Sequence, residues 1–127
     1  MGELLPRVLL VDDEPLLLRA LGRLLARRGL VVETAGDGEA ALQRLAEVPV
    51  DLIVCDVRMP RLDGPGLLRA LGARWAAGEP AVPFVFLTGY GDQSDRELVE
   101  LGAQAVYGKP LDADALTALV ERWVRRA

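Results

Sequence analysis

The chain has 127 residues, 51% of them hydrophobic, with 15 basic and 19 acidic side chains, a net charge of -4, no histidine and one cysteine. This length predicts one domain spanning residues 1–127. The sequence has no apolar run near the roughly 20 residues of a membrane span. It also has no basic stripe suited to binding nucleic acid. The absence of histidine excludes catalytic nucleophile pairs and zinc sites that depend on histidine. The lone Cys55 and an N-terminus unlike a signal peptide predict a cytoplasmic protein.

The first half of the chain alternates short apolar runs with helical patterns. After the first run, Pro15 at a first helical turn opens a helix that leucines at helical spacing continue to Arg28. Asp37 is placed to cap a second helix that ends near Ala46. The third run has no polar alternation, which is typical of a strand buried on both faces of a parallel sheet. The predicted strands are Arg7–Val11, Val31–Thr34 and Leu52–Cys55.

The second half continues the alternation. A third helix begins at Gly64 and is broken at Gly78, and a short polar helix is predicted from Asp92 to Leu101. Asp112 is placed to cap a last helix whose apolar residues fall at positions i, i+3, i+4 and i+7. The predicted strands here are Pro83–Leu87 and Ala105–Tyr107.

Five strands that alternate with five helices predict an α/β fold with a doubly wound parallel sheet, since parallel strands need crossover connections. We expect the flavodoxin-like strand order 2-1-3-4-5. In that order the topological switch point lies between the first and third strands, and ligands bind there, outside the carboxyl ends of the strands.

Polar side chains follow four of the five predicted strands at that edge, namely Asp12 and Asp13, Asp56, Thr88, and Lys109. Carboxylates held together repel one another unless a cation is present, and a cluster of oxygen ligands suits Mg²⁺. Lys109 supplies a positive charge and Thr88 a hydroxyl for phosphoryl oxygens, while carboxylates are known phosphoryl acceptors. The pattern therefore predicts a Mg²⁺-dependent phosphoryl site. The Lys109–Pro110 bond is a candidate for the cis form.

Taken together, these motifs resemble the receiver domains of two-component response regulators. The resemblance covers essentially the whole chain and rests on Val11–Glu14, Asp56–Pro60 with Asp63-Gly64, Leu87–Asp92 and Lys109-Pro110. It implies that Asp56 accepts a phosphoryl group from a histidine of a kinase or phosphotransfer protein. A conformational shift of the face formed by the fourth and fifth strands and helices would then control an output protein or domain, and a homodimer is left open.

The resemblance also implies roles for the other residues of the site. Mg²⁺ would be held by the carboxylates and one backbone carbonyl, namely those of Asp12, Asp13, Asp56 and Arg58. Thr88 and Lys109 would contact the phosphoryl group.

The sequence departs from the family pattern where the signal would be read out. Val106 stands where an aromatic side chain is expected, and Leu111 replaces the aromatic that often follows Lys-Pro. Successive side chains of a strand point to opposite faces, so we expect Tyr107 to replace that aromatic only if the register slips or a bulge intervenes. Val106 is too small and too stiff to swing between rotamers. We therefore expect Thr88 and Tyr90 to carry most of the readout.

Other functions account for parts of the sequence. The segment Gly36–Ala41 fits a dinucleotide-binding G-x-G-x-x-A pattern, with Asp56 about 20 residues further on. That function would leave Asp12, Thr88 and Lys109 without roles and would bring two acidic side chains to a pyrophosphate. A phosphohydrolase acting through an aspartyl-phosphate would use the same groups as a receiver, but no extra acid, base or cap segment is visible. A non-phosphorylated binding module is disfavoured because every acceptor position is filled.

Overall fold

The computed structural model describes residues 5–89 and 94–124, which fold as five strands alternating with five helices. The strands are β1 (Arg7–Val11), β2 (Val31–Ala35), β3 (Leu52–Asp56), β4 (Phe84–Thr88) and β5 (Ala105–Gly108). The helices are α1 (Pro15–Ala26), α2 (Gly38–Glu47), α3 (Gly64–Ala76), α4 (Asp95–Glu100) and α5 (Ala113–Val124). Within residues 5–89 and 94–124, no helix is long and apolar enough to cross a membrane.

The sheet is parallel throughout and has the order β2-β1-β3-β4-β5, which confirms the predicted fold class. The register brings the carboxyl ends of neighbouring strands level with one another. Val11 pairs with Cys55, one residue before Asp56, and Thr88 pairs with Gly108, one residue before Lys109. The polar residues that end β1, β3, β4 and β5 therefore share one edge.

Two apolar layers cover the two faces of the sheet. Alternate residues of β4 enter different layers: Phe84 and Phe86 pack with α3 and α4, whereas Val85 and Leu87 pack with α1 and α5. Because both faces are covered, all five residues of β3 are buried, as its unbroken apolar run predicts.

The helix caps explain where several helices begin. The Asp37 carboxylate accepts a hydrogen bond from the Ala40 amide at 2.8 Å, and Asp112 caps α5 in the same way. The prediction for α4 is wrong at its start. Ser94 and Glu97 form a reciprocal capping box that begins this helix at Asp95, while residues 92 and 93 lie outside the described ranges.

Candidate functional site

Asp12 and Asp13 follow the end of β1 and differ in exposure. The Asp12 backbone amide donates to the Ala35 carbonyl of β2, which carries the ladder one residue beyond the strand. Its carboxylate accepts a hydrogen bond from the Glu14 amide at 3.0 Å and is buried, whereas Asp13 is exposed. The β1–α1 turn therefore fixes Asp12 and leaves Asp13 facing solvent.

Asp56 is the last residue of β3 and a buried carboxylate. Its Oδ1 atom accepts a hydrogen bond from the Val57 amide at 2.8 Å. Burial raises the pKa of Asp56 above its ordinary value, and the nearby Lys109 ammonium opposes that rise without cancelling it. Repulsion from the Asp12 carboxylate also raises the pKa of Asp56, by less than burial does. The Asp56 carboxylate is thus costly to ionise until a cation compensates it.

Lys109 supplies part of that compensation. Its ammonium lies 3.1 Å from Asp12 Oδ2 and 3.2 Å from Asp56 Oδ2, so one cation bridges two buried carboxylates. Burial lowers the pKa of Lys109, but the pairing with Asp12 and Asp56 outweighs burial and the net shift is upward. The Lys109 amide also donates to the Thr88 carbonyl at 2.7 Å, and the Lys109–Pro110 bond is cis, as expected.

The three carboxylates form a compact oxygen cluster. Asp12, Asp13 and Asp56 each offer one oxygen atom within 4.8 Å of the others. Two oxygens on opposite sides of a Mg²⁺ ion lie about 4.2 Å apart, because each is about 2.1 Å from the ion. The donor set therefore has the chemistry that a small hard cation prefers, and its oxygens are close enough together to approach one ion.

The loop after β3 approaches the site closely at Gly64, which the sequence indicated as a helix start and as part of the Asp63-Gly64 motif. The Gly64 amide donates to the Val57 carbonyl at 2.9 Å. A Cβ atom at Gly64 would lie 2.4 Å from the Asp56 carbonyl oxygen and 2.7 Å from the Phe86 ring. The first turn of α3 therefore packs directly against the backbone of the candidate acceptor.

The residues predicted to carry the readout fall in different places. Thr88 is half-buried at the end of β4, and Tyr90 lies outside the described residues. Val106 packs on the layer that contains Phe86, whereas Tyr107 packs on the opposite layer and its hydroxyl accepts a hydrogen bond from Trp123 Nε1 at 2.8 Å. The two side chains thus lie on opposite faces of β5, so Tyr107 does not occupy the position of the expected aromatic.

The glycine segment before α2 does not have the geometry of a dinucleotide site. The Gly38 amide already donates to the Leu62 carbonyl at 2.9 Å, and a Cβ atom at Gly38 would lie 2.4 Å from that carbonyl oxygen. Asp37 uses its carboxylate to cap α2. The segment is packed against the β3–α3 loop where a pyrophosphate would have to lie.

Comparison with known sequences gives one consistent family. The family model described as the response regulator receiver domain matches residues 8–121. The chain is 36% identical to the transcriptional regulatory protein AruR of Pseudomonas aeruginosa, over 97% of this chain and 51% of that protein. It is 35% identical to the transcriptional regulatory protein FixJ of Bradyrhizobium diazoefficiens, over 94% of this chain and 57% of that protein. The chain spans about half the length of the first curated relatives it matches.

Solved structures give the same result. A putative response regulator from Chloroflexus aurantiacus is 29% identical, with a TM-score of 0.83 over 97% of this chain and 100% of that one. The receiver domain of the Francisella response regulator 1452 is 27% identical, with a TM-score of 0.85 over 95% of this chain and 98% of that one.

Proposed function

This chain belongs to the response regulator receiver domain family, and on that premise we propose that Asp56 accepts a phosphoryl group from a phosphohistidine of a partner kinase or phosphotransfer protein. The observation that carries the proposal is the Lys109 ammonium, which bridges Asp12 and Asp56 at the ends of β1 and β3. A phosphoryl group attached to Asp56 would enter a place that already holds a cation and a hydroxyl-bearing Thr88.

The transfer follows from the contacts of Asp56. The Val57 amide orients its carboxylate through Oδ1, and a carboxylate oxygen attacks phosphorus. An oxygen–phosphorus bond forms while the phosphorus–nitrogen bond of the donor breaks, and the departing imidazole takes up a proton. Lys109 then exchanges part of its pairing with Asp56 for a phosphoryl oxygen, and the Thr88 hydroxyl donates to another.

The acidic cluster suits Mg²⁺ as the cofactor. The ion would be held by Asp12, Asp13, Asp56 and the Arg58 carbonyl, and when bound it offsets the negative charge that the carboxylates and the phosphoryl group bring together. Asp12 is held in place by the Glu14 amide, so it would be a fixed ligand, while Asp13 would add an exposed one.

Intact-mass spectrometry tests the proposed acceptor. Incubation with a small acyl phosphate and Mg²⁺ is expected to add one phosphoryl group per chain, and a chelator should prevent the addition. Asp56→Asn should remain unlabelled, whereas the control Asp51→Asn, just before the opposite end of β3, should label as the wild type does. Labelling of Asp56→Asn would refute the assignment.

Magnesium is expected to raise the thermal unfolding midpoint of the protein, and Asp13→Asn should reduce this rise. A ligand at 100 times its Kd stabilises a protein by about 2.7 kcal/mol, so a tenfold weaker site loses about half of that. Asp13 is exposed, so its replacement should change the metal-free midpoint little. Thermal scans with and without Mg²⁺ measure both quantities, with Glu14→Gln as the neighbouring control. An undiminished Mg²⁺ response in Asp13→Asn would remove Asp13 from the site.

The domain's role is signalling, and the family match disfavours a phosphohydrolase. We propose that residues 1–127 form one cytoplasmic receiver domain whose β4–α4–β5–α5 face regulates an output protein or domain, alone or as a homodimer. The contacts of Val106 and Tyr107 support a readout that does not use a swinging aromatic at position 106. Thr88 would move toward the phosphoryl group, while the Tyr107–Trp123 hydrogen bond would keep β5 attached to α5.

A further inference from the structure

The loop between β3 and α3 contains a disfavoured turn at Arg61. The φ of Arg61 is 66°, in the left-handed region that non-glycine residues other than Asn and Asp seldom adopt. The Leu62 amide donates across it to the Pro60 carbonyl at 2.8 Å. A hydrogen bond between residues i and i+2 around a positive φ is a γ-turn of the rare, strained type. Such a turn persists only where neighbouring contacts hold it.

The start of α2 provides those contacts. Arg61 Nε donates to Asp37 Oδ2 at 2.7 Å, and the Gly38 amide donates to the Leu62 carbonyl at 2.9 Å. The other oxygen of Asp37 caps α2 through the Ala40 amide. The Asp37 side chain is buried, whereas the Arg61 side chain is 63% exposed. The position of the carboxylate is therefore set by the surrounding fold, and the arginine side chain lies over it. We call the Asp37–Arg61 ion pair, with the γ-turn that it holds, the clasp.

The clasp lies on the loop that leaves the acidic site. The loop begins after Asp56. Its other end is anchored at Gly64, whose amide donates a hydrogen bond to the Val57 carbonyl. Arg58 lies between these ends, and the clasp ties the far side of the loop to the start of α2. We propose that Asp37 and Arg61 are positioning residues, which hold the 57–62 loop so that its backbone is preorganised for a divalent cation. This inference rests on the proposed function.

Two substitutions separate positioning from simple stabilisation. Asp37→Ser keeps an efficient cap for α2 but removes the ion pair, so it should lower stability. Arg61→Gly also removes the ion pair, but glycine adopts the positive φ without cost, so the loss of stability should be smaller or reversed. If the clasp positions the loop, both variants bind Mg²⁺ more weakly, whatever the direction of their stability change.

The experiment is a calorimetric Mg²⁺ titration of the wild type, Asp37→Ser, Arg61→Gly, Arg61→Lys and the neighbouring control Glu39→Gln. We expect Kd to rise about tenfold in the first two variants, the lower end of the effect of residues that support metal ligands. Arg61→Lys should recover part of the affinity because it restores the charge, and Glu39→Gln should match the wild type. Wild-type affinity in both Asp37→Ser and Arg61→Gly, or affinity that follows the unfolding midpoint, would overturn the inference.

Amide hydrogen exchange in the presence of a chelator tests the clasp without metal. Asp37→Ser and Arg61→Gly should both lose protection at residues 57–62 while the β3 amides keep theirs. A wild type that binds no Mg²⁺ would defeat the proposed function, and the exchange result would still decide whether the clasp holds the loop. Unchanged protection in both variants would refute the clasp itself.

Discussion

Replacing Lys109 with methionine is expected to lower the free energy of unfolding of the metal-free protein by about 2 kcal/mol at neutral pH. The substitution leaves Asp12 and Asp56 buried without the ammonium that lies 3.1 and 3.2 Å from them. Loss of one partner from a fully buried pair costs about 3–5 kcal/mol, and the 22% exposure of the Lys109 side chain reduces that cost here. Denaturant unfolding in the presence of a chelator measures the difference.

The loss in Lys109→Met should depend on pH in a defined direction. Burial raises the pKa of Asp56 from its ordinary 3.8, and Lys109 opposes that rise, so methionine should raise the pKa further. A carboxyl group whose folded-state pKa is raised contributes stability at low pH and loses it as the pH rises through that pKa. The gap between variant and wild type should therefore narrow towards pH 4 and widen above it. A gap that stays constant from pH 4 to 7 would contradict this account.

Mg²⁺ provides the matching control for Lys109→Met. A divalent cation at the acidic cluster replaces the missing positive charge, so Mg²⁺ should stabilise the variant more than it stabilises the wild type. Arg23→Met removes a cation from the exposed side of α1, about two helical turns beyond the start of that helix, and should leave the Mg²⁺ response unchanged. An equal Mg²⁺ response in Lys109→Met and the wild type would place the lysine outside the cation's influence.

The strands, their order and the acidic edge could be predicted because each strand has a local apolar signal and because few arrangements of five parallel strands are possible. An apolar run that ends in Asp12 or Asp56 marks both a buried strand and its functional end, and parallel pairing brings such ends to one edge of the sheet. The strand order itself rests partly on the resemblance to receiver domains. The limits of the strands were less predictable. Asp56 and Thr88 are the last residues of β3 and β4, since ladder pairing with neighbouring strands extends each strand beyond its apolar run.

Features that depend on distant partners could not be predicted from the sequence. The Asp37–Arg61 pair joins residues 24 positions apart, and a positive φ at an arginine has no signal in composition or periodicity. The Tyr107–Trp123 hydrogen bond likewise depends on how α5 lies on β5. The start of α4 was misplaced because this six-residue helix buries only Leu98, too little to define a period.

Gly64→Ala is expected to destabilise the protein by about 1–3 kcal/mol, the range for overpacking a well-packed core. The new Cβ atom would lie 2.4 Å from the Asp56 carbonyl oxygen and 2.7 Å from the Phe86 ring. Neither neighbour yields easily, because one is strand backbone and the other is a fully buried side chain. The first turn of α3 must therefore move away from β3. Thermal and denaturant unfolding measure the loss, and slower labelling by an acyl phosphate would report the displacement of Asp56.

Gly72→Ala, two turns further along α3, is the matched control with the opposite sign. Apart from the adjacent residues and the nearby backbone of α3 itself, no atom lies within 4 Å of a Cβ atom built at Gly72, so alanine meets no obstruction there. Alanine in a helix interior is favoured over glycine by about 0.5–1 kcal/mol, so this variant should unfold at a higher denaturant concentration than the wild type. Since both substitutions add the same methyl group to the same helix, opposite signs would assign the loss in Gly64→Ala to contact with Asp56 and Phe86. A Gly64→Ala variant as stable as Gly72→Ala would show that α3 moves freely at its first turn.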